Sequence, residues 1–318
     1  MTDNLPALAT AGGLSAPATA NDLYAAFLAG RSANTRDAYA RDMKLFARFM
    51  GDDEARAALV RIISMPHGEA NGALLAFRAA MIADGLTPST INRRLSAVKS
   101  AAKLARTLGL TTWVPEVDGM KCQSYRDTAG PGLEGTRSML IGAQAQNTVA
   151  AARDAAIIRL FFDLALRRGE VVNLDLSDVD MTGKRVWFLG KGRTQKEWRT
   201  LPDKTLAALQ AWIAARASVV RPDQTALFVA LDRHSRGRRI TGRGVYHIVS
   251  NLGLDVGIKT RPHGLRHASI TTALDRNNGD VRAAQQHARH AKPETTIKYD
   301  DNRKDLAGKI ANDLSTVL

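Results

Sequence analysis

Pro262-His263-Gly264-Leu265-Arg266-His267, then Arg289-His290, then Tyr299: these residues, near the end of the chain, decide how the whole is read. An arginine offers a planar fork matched to phosphate oxygens. Histidines donate to phosphate or move protons near neutral pH, and a tyrosine can form a covalent ester. Together these side chains are what attack on a phosphodiester without a metal requires. His263 and Arg266 lie three apart at a predicted helix start and share one face. The remaining question is whether the rest of the chain supplies the missing groups.

Working outward, the apolar helix predicted over VAAARDAAIIRLFFDLAL (149–166) runs into Leu166-Arg167-Arg168-Gly169-Glu170. An arginine at the end of a buried helix is costly unless it is paired or holds an anion. The plain structural alternative is a pair between Arg167 and Glu170. Lys191, in Gly190-Lys191-Gly192, lies at the tip of a hairpin between RVWFLG (185–190) and EWRTLP (197–202). Alone it reads as a solvated turn residue. Tyr246, in GVYHIVS, is a second tyrosine, placed on an apolar helix face and so a poor rival to Tyr299.

Composition narrows the partner. The chain has 318 residues and a formal net charge of +14, with 45% hydrophobic residues. That describes a globular protein with a polyanionic partner, most often nucleic acid. Cys122 is the single cysteine, which excludes an internal disulfide and favours a reducing, cytoplasmic location. There is no apolar run of the roughly 18 residues that a membrane span needs. No Cys/His cluster suggests zinc. The first twenty residues, small and weakly apolar, read as a mobile tail.

Residues 21–110 read as a helical domain of four helices. LYAAFLA is capped by Asn21-Asp22. RDAYARDMKLFARFM carries Tyr39, Met43, Phe46 and Met50 at amphipathic spacing. GALLAFRAAMIAD stops at Gly85, and a fourth helix starts at Thr87-Pro88-Ser89-Thr90. That last helix buries Ile91, Leu95, Val98 and Ala102. Its Arg93, Arg94, Lys99, Lys103 and Arg106 are read as phosphate contacts, with a solvated basic face as the alternative. Residues 111–136, rich in glycine and proline, read as a linker. In 137–318, VVNLDLSDVDM, RVWFLG and EWRTLP are predicted strands. DKTLAALQAWIAARA, GVYHIVSNLGL, HASITTALDR, DVRAAQQHARH and a segment after Tyr299 are predicted helices. The fold class expected is mainly α, with a small antiparallel sheet in the second domain.

These motifs, in this order, resemble the tyrosine recombinases, the lambda integrase family that includes the Xer and Cre recombinases. Ala165-Leu166-Arg167-Arg168-Gly169-Glu170 is similar to the family's Gly-Leu-Arg-x-x-Glu box. Lys191 matches the hairpin lysine, Pro262–His267 the second arginine box, and Arg289–Tyr299 the Gly-His and nucleophile segment. Ser89–Val98 resembles the last helix of the core-binding domain. The chain departs from the pattern at Ala165 and Arg289, where the family prefers glycine.

The resemblance implies a core-binding DNA-binding domain over 21–110 and a catalytic domain over 137–318, the two forming a clamp around double-stranded DNA. It implies Tyr299 as the nucleophile of a 3′-phosphotyrosyl intermediate, and Arg167 and Arg266 on the non-bridging oxygens. Lys191 would be the general acid, His263 would help move the nucleophile's proton, and His290 would bond the phosphate. Glu170 supports its neighbours, and His267 packs. No cofactor, metal or ATP is implied. The C-terminal helix, 300–318, with Leu306, Ile310 and Leu314 on one face, is expected to link protomers into a homo-tetramer on two DNA sites. So short a leading tail suggests a simple Xer- or Cre-like architecture, cytoplasmic and nucleoid-associated, acting in DNA integration or dimer resolution. A type IB topoisomerase-like relaxing enzyme and a catalytically decayed DNA-binding protein are the alternatives.

Overall fold

The computed structural model describes residues 20–121, 130–299 and 306–317. The leading tail and Cys122 lie outside them. The chain forms two compact units, divided between Tyr125 and Arg126. Among the described residues it is mostly helical, with one small sheet.

The first unit contains α1 (Ala20–Ala29), α2 (Ala33–Met50), α3 (Ala55–Ser64), α4 (His67–Ala83) and α5 (Pro88–Thr107). Met43 and Phe46 of α2 are fully buried, with Tyr39 and Met50 packed against them. Ile91, Leu95, Val98 and Ala102 of α5 are buried too, as their spacing predicts. Helix α1 begins at Ala20, so the expected cap at Asn21-Asp22 falls inside its first turn. Helix α3 is not among the four helices read from sequence. Its Ala55, Ala58, Leu59, Ile62 and Ile63 nevertheless carry the i, i+3, i+4 pattern and are buried.

Residues 111–121 are not a free linker. Val117 is buried in the first unit's core, with Trp113 and Met120 packed on it. Asn92 clasps Met120 at both backbone polar groups, 2.9 Å to its carbonyl and 2.7 Å from its amide. The second unit then opens with α6 (Gly132–Gln144), which starts inside the stretch assigned to the linker.

Next come α7 (Val149–Asp163), α8 (Arg168–Val172) and a short 3-10 turn, Leu176–Asp178. Strands β1 (Val179–Asp180), β2 (Arg185–Leu189) and β3 (Lys196–Thr200) form an antiparallel sheet in the order β1-β2-β3. Of the strand predicted over VVNLDLSDVDM, only Val179–Asp180 is a strand, because Val171 and Val172 fall in α8. Then follow α9 (Asp203–Arg216), α10 (Gly242–Asp255), α11 (Pro262–Arg276), α12 (Val281–Ala288), α13 (Pro293–Ile297) and α14 (Leu306–Ser315). Helix α7 stands against α6, α9 and α11 and forms the centre of this unit.

Trp212 of α9 is fully buried, its ring 6.1 Å from that of Phe228, and its indole N–H donates to the Leu227 carbonyl at 2.8 Å. Removing the ring leaves a cavity and an orphaned carbonyl. Trp212→Ala is expected to destabilise the second unit by about 3–5 kcal/mol, measured by urea unfolding.

Candidate active site

Helix α7 ends at Asp163, three residues short of the sequence expectation. Ala165 then takes φ 48°, the left-handed region, and turns the chain away. Arg167 thereby becomes the N-cap residue of α8. Glu170, three residues on, reaches back to accept from the Arg167 amide at 2.7 Å, and its other oxygen accepts from Arg167 Nη1 at 2.9 Å. The Arg-x-x-Glu spacing is therefore capping-box geometry with the cap's own side chain folded onto the same carboxylate. The structural pair is formed and still leaves the guanidinium reachable: Arg167 keeps a third of its side chain exposed while Glu170 is 5% exposed.

A second left-handed residue closes the other side. Arg289 caps α12 with φ 56° and ψ 45°. A left-handed residue with a Cβ costs about 1–2 kcal/mol where glycine costs nothing. Ala165 and Arg289, the two departures from glycine, are thus the two non-glycine residues around this site that take the left-handed conformation. The Ala165 carbonyl accepts from both Arg266 Nη1 and Arg289 Nη2, the latter at 3.1 Å. Arg289 Nη2 also pairs with Glu170 at 2.7 Å. Arg266, 2% exposed on α11, donates in addition to the Ala288 carbonyl.

Arg167 and Arg289 thus share the carboxylate of Glu170, with Arg266 joined to them through the Ala165 carbonyl. Burial alone would raise Glu170, but Arg289 and the Arg167 hydrogen bonds hold it below the usual carboxylate range. Arg266 is lowered to about 10, by burial and then by the charges of Arg167 and Arg289. It stays a cation at neutral pH. The cluster carries surplus positive charge, as an anion site requires.

The histidines and Tyr299 border this cluster. Arg266 Nη2 lies 3.3 Å from His290 Nε2, and a guanidinium can only donate. His290 Nε2 is therefore the acceptor, and Nδ1 donates to Thr296 at 2.9 Å. Burial, then Arg266, Arg167 and Arg289, push His290 down to about 4. His263, exposed at the start of α11, is lowered by partial desolvation and by Arg266, Arg261 and Arg167. Tyr299 packs on Ala165, Ile270 and Ala288, with its ring 4.8 Å from His267 and 5.4 Å from His290. Burial raises its phenol above 10.0, although Arg266 and Arg167 pull the other way. His267 is buried beneath it. Tyr246 is corrected: it is 41% exposed on α10, its ring edge-on to His247, rather than on an apolar face.

Lys191 is exposed in the β2–β3 turn. It lines a cleft of about 970 Å³ with Arg167, Glu197, Arg199, His287 and His290. Three further residues of this region escaped sequence reading. Thr296, fully buried, fixes the His290 ring; Ser269 meets His287 at 2.8 Å. Their only local signal is a polar residue on a helix face that the fold buries.

In the first unit the predicted DNA-binding cations are partly engaged. Arg93 pairs with buried Asp42, and Arg94 lies 4.0 Å from the same carboxylate. Lys99 donates to the Val117 carbonyl at 2.7 Å. Lys99 and Lys103 line an open groove with Ser96, Ser100 and Arg106.

A helical fold with this arginine–histidine–tyrosine cluster defines a class of DNA strand-exchange enzymes, and comparison with known proteins agrees. Residues 138–305 match the phage integrase family. A tyrosine recombinase of Synechococcus elongatus is 39% identical over 293 residues, covering 91% of both chains. The tyrosine recombinase XerC of Mycobacterium tuberculosis is 30% identical over 289 residues, covering 87% of this chain and 91% of XerC. The chain belongs to the phage integrase family of tyrosine recombinases. Its fold is similar to that of the Tn1549 transposon integrase in complex with transposon right end DNA (TM-score 0.64, 17% identity, 93% of this chain and 99% of that one). It is also similar to a lambda integrase dimer bound to a COC′ core site (TM-score 0.65, 14% identity, 89% and 77%).

His287, lowered to about 4 by burial and then Arg266 and Arg289, behaves like His290. Both stay neutral in the folded protein at pH values where an unfolded histidine, near 6.5, takes a proton. The unfolded chain then binds more protons, so stability falls as pH is lowered from 6.5 toward 4. Thermal unfolding across that range is expected to show a falling Tm, and His287→Gln to flatten the slope.

Proposed function

We propose that this protein is a site-specific DNA recombinase that cuts and rejoins strands through a 3′-phosphotyrosyl intermediate at Tyr299. The observation that carries the reading is Tyr299 packed against His290 and His267, beside the Arg266 and Arg167 guanidiniums.

In this mechanism the Tyr299 oxygen attacks the scissile phosphorus as the bond to the 5′-oxygen breaks. Because burial keeps the phenol protonated at neutral pH, a base is required, and His263 is neutral there. Arg167 and Arg266 neutralise the charge that builds on the non-bridging oxygens. Lys191 delivers a proton to the departing 5′-oxygen, its exposure in the turn letting it reach the strand. His290 bonds the phosphate once Nε2 is protonated, which the phosphate's negative charge favours against the surrounding guanidiniums. The ester conserves the bond, and a different 5′-hydroxyl reverses the step to give exchange. Because the ester conserves the bond and these side chains supply the charge and the protons, the proposed mechanism calls for neither metal nor ATP.

Residues 21–110 act as the core-binding domain, with Lys99, Lys103 and the free edges of Arg93 and Arg94 toward the phosphate backbone of double-stranded DNA. Residues 137–318 form the catalytic domain. Helix α14 supports assembly into a homo-tetramer: Ile310 and Leu314 are 60% and 61% exposed, an apolar face left open among the described residues. DNA integration and dimer resolution both fit this chemistry.

A suicide substrate containing the recognised site, enriched from genomic fragments, tests the reading. Wild type is expected to form a covalent protein–DNA adduct in chelator and without nucleotide, and Tyr299→Phe to form none. An adduct that survives Tyr299→Phe would refute the nucleophile. Lys191→Ala is expected to slow adduct formation by roughly 10²–10⁴-fold, the usual worth of a positioned general acid.

A further inference from the structure

Arg289 stands where the family pattern has glycine, and its side chain is 6% exposed. It does far more than fill space. Its guanidinium lies over the Phe188 ring at 4.4 Å, while Nη1 pairs with Glu197 at 3.3 Å. Phe188 and Glu197 are directly opposite each other, one rung of the β2–β3 ladder. Arg289 therefore grips a single rung from both strands. Lys191 is three residues beyond Phe188, in the turn that this rung supports. The other end of the same guanidinium is fixed to Glu170 at 2.7 Å and to the Ala165 carbonyl at 3.1 Å. Glu170 in turn holds Arg167 at 2.9 Å.

We infer that Arg289 is a positioning residue that ties the hairpin carrying Lys191 to the arginine cluster, so that the general acid and the phosphate-binding groups sit in one frame. A glycine at 289 would relieve the left-handed backbone but leave the hairpin without this link. Arg289 itself is turned inward: its cation faces Glu170, Glu197 and Phe188, so its contribution reaches the reaction through the hairpin and Lys191 rather than through phosphate, while Arg167 keeps its own bonds to Glu170.

This inference rests on the reading of Lys191 as the acid. The two are separable by the leaving group. A strand with sulfur in place of the bridging 5′-oxygen gives a thiolate, which departs without a proton, so loss of a general acid is repaired on that strand and loss of phosphate binding is not. Wild type, Lys191→Ala, Arg289→Gly and Glu197→Gln are compared for the rate of adduct formation on oxygen and sulfur strands. Arg289→Gly is expected to lose at least ~10-fold on the oxygen strand and to come within about 3-fold of wild type on the sulfur strand, the pattern of a displaced acid. Glu197→Gln, at a partly exposed position and so safe for folding, is expected to show a smaller loss with the same repair.

Equal loss by Arg289→Gly on both strands, or none on either, would overturn the positioning role. If Arg289→Gly does not fold, the same criterion applies to Glu197→Gln. Repair of Lys191→Ala without repair of Arg289→Gly removes the Arg289 inference alone. Failure to repair Lys191→Ala removes the acid assignment and the inference with it.

Discussion

The second unit is organised around one buried carboxylate, Glu170, shared between Arg167 and Arg289. Buried ions are tolerated only when paired and hydrogen-bonded. Glu170 meets that condition by accepting from the Arg167 amide, from Arg167 Nη1 and from Arg289 Nη2. With Arg266 beside them, the cations outnumber the carboxylate. Backbone carbonyls of Ala165, Ala288 and Arg289 accept from Arg266 and Arg167 and so help to hold that surplus in place. In the proposed mechanism a phosphate entering the cluster would meet guanidiniums already oriented, the condition under which preorganised charge stabilises a transition state.

That arrangement depends on two turns. Ala165 bends the chain between α7 and α8 and aims its carbonyl at Arg266 and Arg289. Arg289 ends α12 and delivers His290 to Arg266 and Thr296. The strain at Arg289 is offset by what its side chain gains, namely two carboxylates, a carbonyl and an aromatic face. Burial, and then the same guanidiniums, depress His290 and His287, so neutral imidazoles and cationic arginines share the site across the physiological range.

Much of this was legible in the sequence. The amphipathic spacing of α2 and α5 predicted their buried faces correctly because a helix repeats every 3.6 residues wherever it occurs. The order Arg167, Lys191, His263, Arg266, His290, Tyr299 was readable as a set of groups suited to phosphate chemistry. The misses have physical causes. Helix α3 is only ten residues long, and β1 only two, so neither offers much period to read. The linker reading, 111–136, ran into the first turn of α6 because Gly132 and Gly135 look like loop residues, yet Gly135 is buried in a helix. Tyr246 sits among apolar neighbours in sequence but faces outward.

The sequence by itself determined the inventory: a basic chain, the helical periods, and which side chains are able to handle a phosphodiester. Tertiary structure decided which cations are free to do so. Glu170 and Arg289 are 119 residues apart, and Arg266 and Ala165 are 101 apart. No local pattern distinguishes Arg289, turned inward onto Glu170 and the hairpin, from Arg167, left partly open toward the cleft. Charge is a property of the residue, but burial, pairing and proton affinity belong to its surroundings, and here those surroundings come from distant parts of the chain.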